Sequence, residues 1–307
     1  MKSFLFPAIR CLRPFQWTKN LAVFAAPMFN GQLFNPEVLL ETLIAFVVFC
    51  LASSASYVFN DLIDAPYDRR HPVKKDRPIA SGAISPFQAK LIILMLLALT
   101  FWLSSLLPPS FLVLLLIFLV VHLAYSFYLK KVAVLDIIMI AFSFILRTLG
   151  GELATGYHLP VWLMFTVVFL ALFIASGKRR GEIIANKSGE TRTSLIRYRK
   201  ALLNFYNSIF AVATLVSYAL FTYLSQPASF SHPRVKDFLL ENMPYLLGRK
   251  WLMLSTFPVV FGIMRYSQLV FDRSEGERPE KLLIFDIPLL LIVLFWGLMI
   301  ALIIYVL

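Results

Sequence analysis

The sequence predicts an all-α polytopic membrane protein with nine transmembrane helices. Of its 307 residues, 59% are hydrophobic and only 15% are charged, and the mean hydropathy is +0.77. Few water-soluble domains tolerate this balance, whereas helices that face lipid require it. The apolar residues also group into runs of about 20, the length that a helix needs to cross a bilayer. Composition and patterning together exclude a soluble domain.

The predicted spans follow one another with short connections. They lie at residues 17–34, 38–60, 88–107, 111–129, 133–154, 159–177, 202–224, 251–271 and 287–307. The first of them is the weakest. Because no connection is long enough to fold separately, residues 1–307 are expected to form a single transmembrane domain.

Basic residues indicate the orientation of this domain. If the N-terminus is cytosolic, most of the 29 Lys and Arg residues fall on the cytosolic side, before residue 20 and in the connections 61–87, 130–131, 178–200 and 272–286. The basic residues that fall outside are Arg234, Lys236, Arg249 and Lys250. This asymmetry is the one that the positive-inside rule describes. We therefore predict a protein of the plasma (inner) membrane, with the N-terminus and the polar loops in the cytosol and the C-terminus outside.

A cluster of acidic residues ends the second predicted span. On a helix that turns roughly 100° per residue, Asn60, Asp61, Asp64 and Asp68 fall within an arc of roughly 100°. Pro66 lacks a backbone N–H, so we expect the helix to kink or unwind near Asp64, which makes the convergence of the first three side chains firmer than that of the fourth. Acids this close repel one another at a low-dielectric boundary unless cations neutralise them.

Oxygen ligands of this type suit Mg²⁺ or Mn²⁺, and Mg²⁺ commonly completes its shell with water and phosphate oxygens. We predict four metal ligands, Asn60, Asp61, Asp64 and Asp68, and regard the three aspartates as catalytic. Such a metal implies a diphosphate substrate. The alternative is a solvated acidic helix end that pairs with the basic residues behind it, among them Lys74 and Arg77. Those cations either cradle phosphate oxygens or pair with the acids.

A second polar group surrounds the connection between the fourth and fifth spans. Tyr125 and Lys130 are candidates for binding phosphate. Asp136 is a candidate site residue, because intramembrane charges usually line a cavity or pair internally; the alternative is a structural partner of Lys130. Arg147 lies about 16 Å further along the helix axis at 1.5 Å per residue. It cannot pair with Asp136, so we expect it to snorkel outward or to brace a neighbouring helix.

Two further groups contain candidate anion ligands. At the end of the sixth span, Lys178 and Arg179 are favoured for binding an anion, and Glu182 is one turn from Lys178 and is expected to pair with it. The basic residues from Arg197 to Lys200 are expected to anchor the protein to anionic lipid. Near the N-terminus, Gln16 and Lys19 are unusually polar residues for the start of a span. This segment either lines a cavity or forms an aromatic belt at the membrane interface.

These motifs resemble the UbiA superfamily of intramembrane prenyltransferases, and more narrowly its branch that transfers a phosphoribosyl group to a polyprenyl phosphate. The segments that carry the resemblance are RPFQWTKN (13–20), NDLIDAPYDRRHPVKKDRPIASG (60–82), YSFYLKKVAVLDI (125–137), ILRTLGGELA (145–154) and GKRRGE (177–182). The resemblance implies a nine-helix bundle around a cavity open to lipid. Ordinary members carry a second acidic motif after the sixth span, where this chain is mainly basic. Extra cations of this kind would offset the charge of two phosphorylated substrates.

The resemblance thus implies an enzyme that takes phosphoribosyl diphosphate and a polyprenyl phosphate and releases diphosphate, in the synthesis of a lipid-linked arabinose donor. The residues implied to bind phosphate are Lys19, Lys74, Arg77, Tyr125, Lys130, Lys178 and Arg179. Those implied to support them are Gln16, Asp136, Arg147 and Glu182. Alternatives are a prenyltransferase that acts on an aromatic acceptor and, more remotely, a transporter. No nucleic-acid partner is expected, and the oligomeric state, including a homo-oligomer, stays open.

Overall fold

The computed structural model describes residues 5–70, 74–185, 198–226, 237, 240–246, 248–272 and 279–306. These residues form helices and connecting turns, and no strand occurs among them. The predicted all-α architecture is therefore confirmed for this part of the chain. Two compact units are present. One comprises Met1–Pro27, Leu33–Met139 and Leu146–Tyr157, and the other comprises Met28–Gln32, Ile140–Ile145 and His158–Leu307.

The helices follow one another along the described parts of the chain. The α-helices are α1 (Leu5–Leu12), α2 (Ala25–Phe29), α3 (Pro36–Asp68), α4 (Pro86–Ser104), α5 (Pro109–Phe127), α6 (Leu135–Thr155), α7 (Val161–Ala185), α8 (Lys200–Leu224), α9 (Thr256–Phe271), α10 (Pro279–Phe285) and α11 (Ile287–Tyr305). The 3₁₀-helices are Pro14–Phe24, Lys74–Asp76, Leu129–Lys131, Pro244–Leu246 and Trp251–Ser255.

Among the described residues, seven helices are long and apolar enough to cross a membrane: α3, α4, α5, α6, α7, α8 and α11. The other two predicted spans, 17–34 and 251–271, are divided instead. Each consists of a 3₁₀-helix followed by a short α-helix. In both cases a proline, Pro27 or Pro258, is the third residue of the α-helix, a position where its missing N–H has no helical partner. The count of nine spans thus stays a prediction.

Helix α3 carries the acidic cluster, and it begins with a well-formed cap. The Asn35 side chain accepts a hydrogen bond from the Glu37 N–H at 3.1 Å, and Pro36 occupies the first helical position. The helix then runs for 33 residues to Asp68, through Pro66. We expected the helix to kink or unwind near Asp64, and the prediction of unwinding was wrong. Pro66 lacks the N–H that would bond the Leu62 carbonyl, yet the helix continues for two more residues to Asp68.

The length of α3 determines where its acidic end lies. A helix of 33 residues is about 50 Å long at 1.5 Å per residue, whereas the hydrocarbon core of a bilayer is about 30 Å thick. The helix is therefore long enough to cross the bilayer and continue into the headgroup region. Its final turns, which contain the acids, are expected at the membrane surface and not in the hydrocarbon.

Helix α6 packs unusually closely against its neighbours in the first unit. A Cβ atom built on Gly151 would lie 2.1 Å from the carbonyl oxygen of Val23, and one built on Gly150 would lie 2.3 Å from the ring of Phe49. The Phe49 ring in turn makes edge contacts with Phe111 and Phe118 at centroid distances of 5.7 and 5.1 Å. Small residues permit this approach, as they commonly do between membrane helices.

Arg147 braces the same region. Its side chain is buried, with 2% of the residue exposed. Its Nε donates to Asn20 Oδ1 at 2.6 Å, one terminal nitrogen donates to Ser53 Oγ at 3.2 Å, and the guanidinium lies 4.9 Å from the centroid of the Phe118 ring. Of the two alternatives that we considered, the structure shows bracing and not snorkelling. Arg147 connects α6 to α3 and to the 3₁₀-helix that precedes α2.

The second unit is held together by packing and by buried polar contacts. Helix α7 packs along α8, and α9 contacts α7, α8 and α11. Arg265 of α9 binds Asp286 through two hydrogen bonds of 3.0 and 2.6 Å, while Asp286 also caps the first turn of α11. Tyr218 bonds Ser255 at 2.7 Å and accepts a hydrogen bond from Trp296 at 2.8 Å. These contacts fix α9 and α11 within the unit.

The close approach at Gly151 leads to a stability prediction. Gly151→Ala places a methyl group on a backbone oxygen that cannot move aside as a side chain would, so we expect a loss of about 1–3 kcal/mol in the free energy of unfolding. The measurement is the midpoint of thermal unfolding of the purified protein in detergent. Gly297→Ala is the matched control, since nothing lies within 4 Å of a Cβ at that position. Equal midpoints for the two variants would contradict the packing described.

A second prediction concerns Arg147. Arg147→Met keeps most of the apolar stem but leaves Asn20 and Ser53 without this donor, and each buried polar group left unsatisfied costs about 1–3 kcal/mol. We expect a clear fall in the thermal midpoint. Arg249→Met is the control, because Arg249 is exposed and its substitution removes the same charge. A midpoint for the Arg147 variant that matches the control would show that the buried contacts are not stabilising.

Candidate functional site

The end of α3 gathers four polar side chains onto one face of the helix. Asp61 and Asp68 are buried, with 3% and 4% of each residue exposed, and Asp64 is partly buried. Asn60 lies one turn before Asp64 and donates to its Oδ2 at 3.1 Å. Because the helix remains intact through Pro66, Asp68 stays on the same face as Asp61. The four residues form two pairs, and each pair shares a basic partner.

The first pair, Asn60 and Asp64, shares Lys130. The Lys130 Nζ donates to Asn60 Oδ1 at 3.1 Å and to the two carboxylate oxygens of Asp64 at 2.9 and 3.0 Å. Lys130 lies in the 3₁₀-helix between α5 and α6 and is buried. Four residues later, Val134 has a φ of +72°, a conformation that is strained for a β-branched residue and that recurs near functional sites. The turn is thus held in a specific shape that places Lys130 over α3.

The second pair, Asp61 and Asp68, shares Arg77. One terminal nitrogen of Arg77 lies 3.0 Å from Asp61 Oδ1 and 2.7 Å from Asp68 Oδ2. Arg13 adds a second guanidinium to Asp61, with a nitrogen 2.6 Å from Oδ1, and it lies 5.0 Å from the centroid of the Tyr57 ring. Two cations from distant parts of the sequence therefore neutralise the buried carboxylates.

The N-terminal segment is shaped to present Arg13. The residue has a φ of +53° and precedes Pro14, which begins the 3₁₀-helix. Burial acts to lower the pKa of the Arg13 guanidinium, but Asp61, Tyr57 and Asp68 together outweigh it, and the net direction is upward. Arg13 therefore stays charged. In contrast, burial, aided by Asp61, raises the pKa of the nearby Cys11 thiol to about 11, so this thiol is protonated at neutral pH and is no nucleophile.

Five further candidate residues belong to the first unit. Asp136 is fully buried at the start of α6, Tyr125 is partly buried in the last turn of α5, and Lys74 begins the 3₁₀-helix before Arg77. Gln16 and Lys19 are hydrogen-bonded to each other. Their roles in binding phosphate or in supporting the site stay predictions.

The basic motif of the second unit lies on the last turns of α7. Arg179 is buried and pairs with Glu182, a pairing that the spacing argument did not predict, and Lys178 is partly buried. Arg180 was missed altogether. It donates to Asn204 Oδ1 at 2.8 Å and to carbonyl oxygens at the end of α9, so it ties three helices together. Arg197 lies outside the described residues.

Arg13 was also absent from our set of candidates. Its partner Asp61 is 48 residues away in the sequence, and no local spacing rule connects positions that far apart. The one available signal was the polar Arg13-Pro14 step immediately before an aromatic segment. Arg180 gave no signal beyond its place in a run of three basic residues.

The donor atoms fit a divalent cation in their chemistry, but they do not form a complete cage. Among the described residues, no three His, Cys, Asp or Glu side chains are grouped closely enough to hold a metal ion. Asn60 and Asp64 nevertheless direct three oxygens at a single point. Mg²⁺ is usually held by one or two carboxylates, with water and phosphate oxygens completing its shell. The arrangement therefore fits a metal that substrate phosphates help to bind, and the four-ligand set stays a prediction.

Comparisons with known proteins agree with the resemblance seen in the motifs. A family model described as the UbiA prenyltransferase family matches residues 21–298. The chain is 34% identical to the decaprenyl-phosphate phosphoribosyltransferase of Corynebacterium glutamicum, over 97% of this chain and 86% of that protein. It is 33% identical to the protein of the same name from Mycolicibacterium smegmatis, over 96% and 91% of the two chains.

Solved structures show the same fold. A UbiA homologue from Archaeoglobus fulgidus bound to GPP and Mg²⁺ superposes with a TM-score of 0.70 at 18% identity, covering 96% of this chain and 99% of the other. A digeranylgeranylglyceryl phosphate synthase gives a TM-score of 0.64 at 17% identity, covering 99% of both chains. Both the family match and the long alignments with curated relatives lead to one conclusion: this chain belongs to the UbiA prenyltransferase family.

Proposed function

We propose that this protein transfers the 5-phosphoribosyl group of phosphoribosyl diphosphate to a polyprenyl phosphate of the decaprenyl type and releases diphosphate. The observation that carries the proposal is the similarity, along nearly the whole chain, to two proteins named decaprenyl-phosphate phosphoribosyltransferase. The product would serve as a precursor of a lipid-linked arabinose donor for the cell envelope.

The finer topology belongs to the same proposal. The chain would form one nine-helix bundle in the plasma membrane, with its N-terminus in the cytosol and its C-terminus outside. Seven described helices are long enough to span, and the two divided segments, 14–29 and 251–271, would supply the others. The polar end of α3 would then face the cytosol, from which a water-soluble phosphoribosyl diphosphate arrives.

A divalent cation, Mg²⁺ or Mn²⁺, would be held by Asn60, Asp61, Asp64 and Asp68. A structural relative bound to GPP and Mg²⁺ supports this class of cofactor. When bound, the metal supplies positive charge that stabilises the departing diphosphate. Hard oxygen donors on one helix face are the feature of this chain that favours such an ion.

The basic residues would bind the substrate phosphates. Arg77 and Lys130 already lie against the acids in the structure, and the other proposed ligands are Lys19, Lys74, Tyr125, Lys178 and Arg179. Cations in a water-poor site stabilise developing negative charge more strongly than they do in bulk water. Gln16, Asp136, Arg147 and Glu182 would support these ligands, and the buried contacts of Arg147 to Asn20 and Ser53 are consistent with such a role.

The reaction needs little acid or base chemistry. An oxygen of the polyprenyl phosphate attacks the anomeric carbon, a new carbon–oxygen bond forms there, and the bond to the diphosphate oxygen breaks. Because a phosphate nucleophile is already anionic at neutral pH, no strong general base is required. The aspartates are therefore better explained as ligands of cations than as proton acceptors.

The alternative activity is transfer of a prenyl group from a prenyl diphosphate to an aromatic acceptor. It is favoured by the name of the family and by solved relatives bound to GPP or DMAPP. The two activities differ in their substrates, so one assay separates them.

The first test supplies membranes that contain the protein with labelled phosphoribosyl diphosphate and decaprenyl phosphate, and in parallel with a labelled prenyl diphosphate and an aromatic acid. We expect label to enter the lipid fraction only in the first mixture, and only when a divalent cation is present. Lipid labelling in the second mixture alone would replace the proposal with the alternative. Membranes that lack the protein give the background.

The second test concerns Asp64. Asp64→Asn keeps the shape of the side chain but removes its charge, so we expect the rate of transfer to fall by about 10²-fold or more, as for the loss of a preorganised electrostatic group. Asp76→Asn is the matched control, because Asp76 is an exposed acid in the connection after α3. Transfer by the Asp64 variant at the rate of the control, with excess metal present, would contradict the site assignment.

A further inference from the structure

We infer that Lys130 occupies the metal position in the ligand-free protein and thereby makes binding of the divalent cation depend on a diphosphate. This inference rests on the proposed function, because it concerns the metal and the diphosphate of that site. It adds an order of events: the ion binds well only when a phosphate-bearing molecule is present to accept the Lys130 ammonium.

The geometry shows an ammonium in the place of an ion. Three oxygens, one from Asn60 and two from Asp64, lie 2.9–3.1 Å from the Lys130 Nζ. A lysine ammonium has three N–H donors and no acceptor, so this oxygen set can accept all three. The side chain is only 9% exposed, which places the charge in a site poor in water.

The ammonium and a divalent cation cannot share these oxygens. Mg²⁺ requires oxygen atoms at about 2.0–2.1 Å in a near-octahedral arrangement. With Nζ about 3 Å from the same oxygens, the two cations would lie within a few ångströms of each other, where their repulsion is strong because the surroundings screen it poorly. The metal therefore binds Asn60 and Asp64 only after Lys130 has moved away.

A bound diphosphate would give the displaced Lys130 ammonium a new anionic partner. Lysine carries its charge on a flexible stem of four carbons and binds phosphate as a point charge, so rotation of its side chain is enough to change partners. The second acidic pair differs. Asp61 contacts both Arg13 and Arg77, so it keeps a cation when one of the two shifts. Complete displacement of a resident cation is thus expected at Asp64, whereas Asp61 would bind the metal while keeping one arginine.

This exchange couples the two ligands. If diphosphate removes the obstacle to the metal, the metal must strengthen diphosphate binding by the same factor, because coupling between two sites is reciprocal. In the absence of diphosphate the protein would hold divalent cations weakly. Loss of the Lys130 charge should therefore strengthen metal binding without diphosphate, which is the reverse of the effect expected for an ordinary site residue.

The experiment measures Mn²⁺ bound to the purified protein in detergent by equilibrium dialysis, with and without inorganic diphosphate on both sides of the dialysis membrane, so that the soluble Mn²⁺–diphosphate complex contributes equally to both. For Lys130→Met we expect affinity for Mn²⁺ alone to rise by about tenfold, within the usual range of coupling between linked sites. The gain that diphosphate adds should shrink by a similar factor. Lys131→Met is the matched control, since it removes the same charge from the exposed neighbouring residue, and it should behave as the unaltered protein.

Two further variants keep the outcome clear. Lys130→Gln replaces the Met variant if the latter does not fold, as judged by gel filtration. In Lys130→Met combined with Asp64→Asn the gain in Mn²⁺ affinity should vanish, which assigns it to this oxygen set. Unchanged or weaker Mn²⁺ binding in the Lys130 variants overturns the inference while leaving the metal site in place. If no form binds Mn²⁺ even with diphosphate, the metal assignment of the proposed function fails as well, whereas phosphoribosyl transfer is judged by the labelling assay.

Discussion

Neutralisation of the acids at the end of α3 is the interaction on which the candidate site depends. Three carboxylates and one amide lie on the last turns of a helix that is long enough to extend beyond a bilayer. Left alone, they would repel one another and lose hydration at a low-dielectric boundary. Arg13, Arg77 and Lys130 offset that cost, and each comes from a different stretch of the sequence. The site therefore forms where three segments that connect helices contact α3.

Close packing of α6 against the N-terminal 3₁₀-helix constrains two of these connecting segments. Gly151 lets α6 touch the backbone of the N-terminal 3₁₀-helix, and Arg147 fastens the same two elements through Asn20. Because Arg13 immediately precedes that 3₁₀-helix and Lys130 lies in the turn before α6, the packing of these two elements also positions the two cations. Buried polar contacts of this kind constrain position because breaking them leaves unsatisfied groups.

The number of basic residues proposed to bind phosphate distinguishes phosphoribosyl transfer from simple prenyl transfer. A phosphoribosyl diphosphate and a polyprenyl phosphate together carry more negative charge than one prenyl diphosphate, and cations in the site must balance it. In the structure three cations, Arg13, Arg77 and Lys130, pair with the aspartates. Substrate binding would then move these cations from the aspartates to the substrate phosphates. The charges of the acidic and basic residues of the site would therefore change partners together.

The sequence by itself determined the class of protein, the positions of seven long apolar helices and the helix face that carries the acids, because hydropathy and helical periodicity are local properties. It also indicated the family through its motifs. Only the tertiary structure decided that α3 continues through Pro66, that Arg147 braces and does not snorkel, and that Arg13 and Lys130 lie on Asp61 and Asp64. Those contacts join residues dozens of positions apart, and packing, not local spacing, chooses such partners.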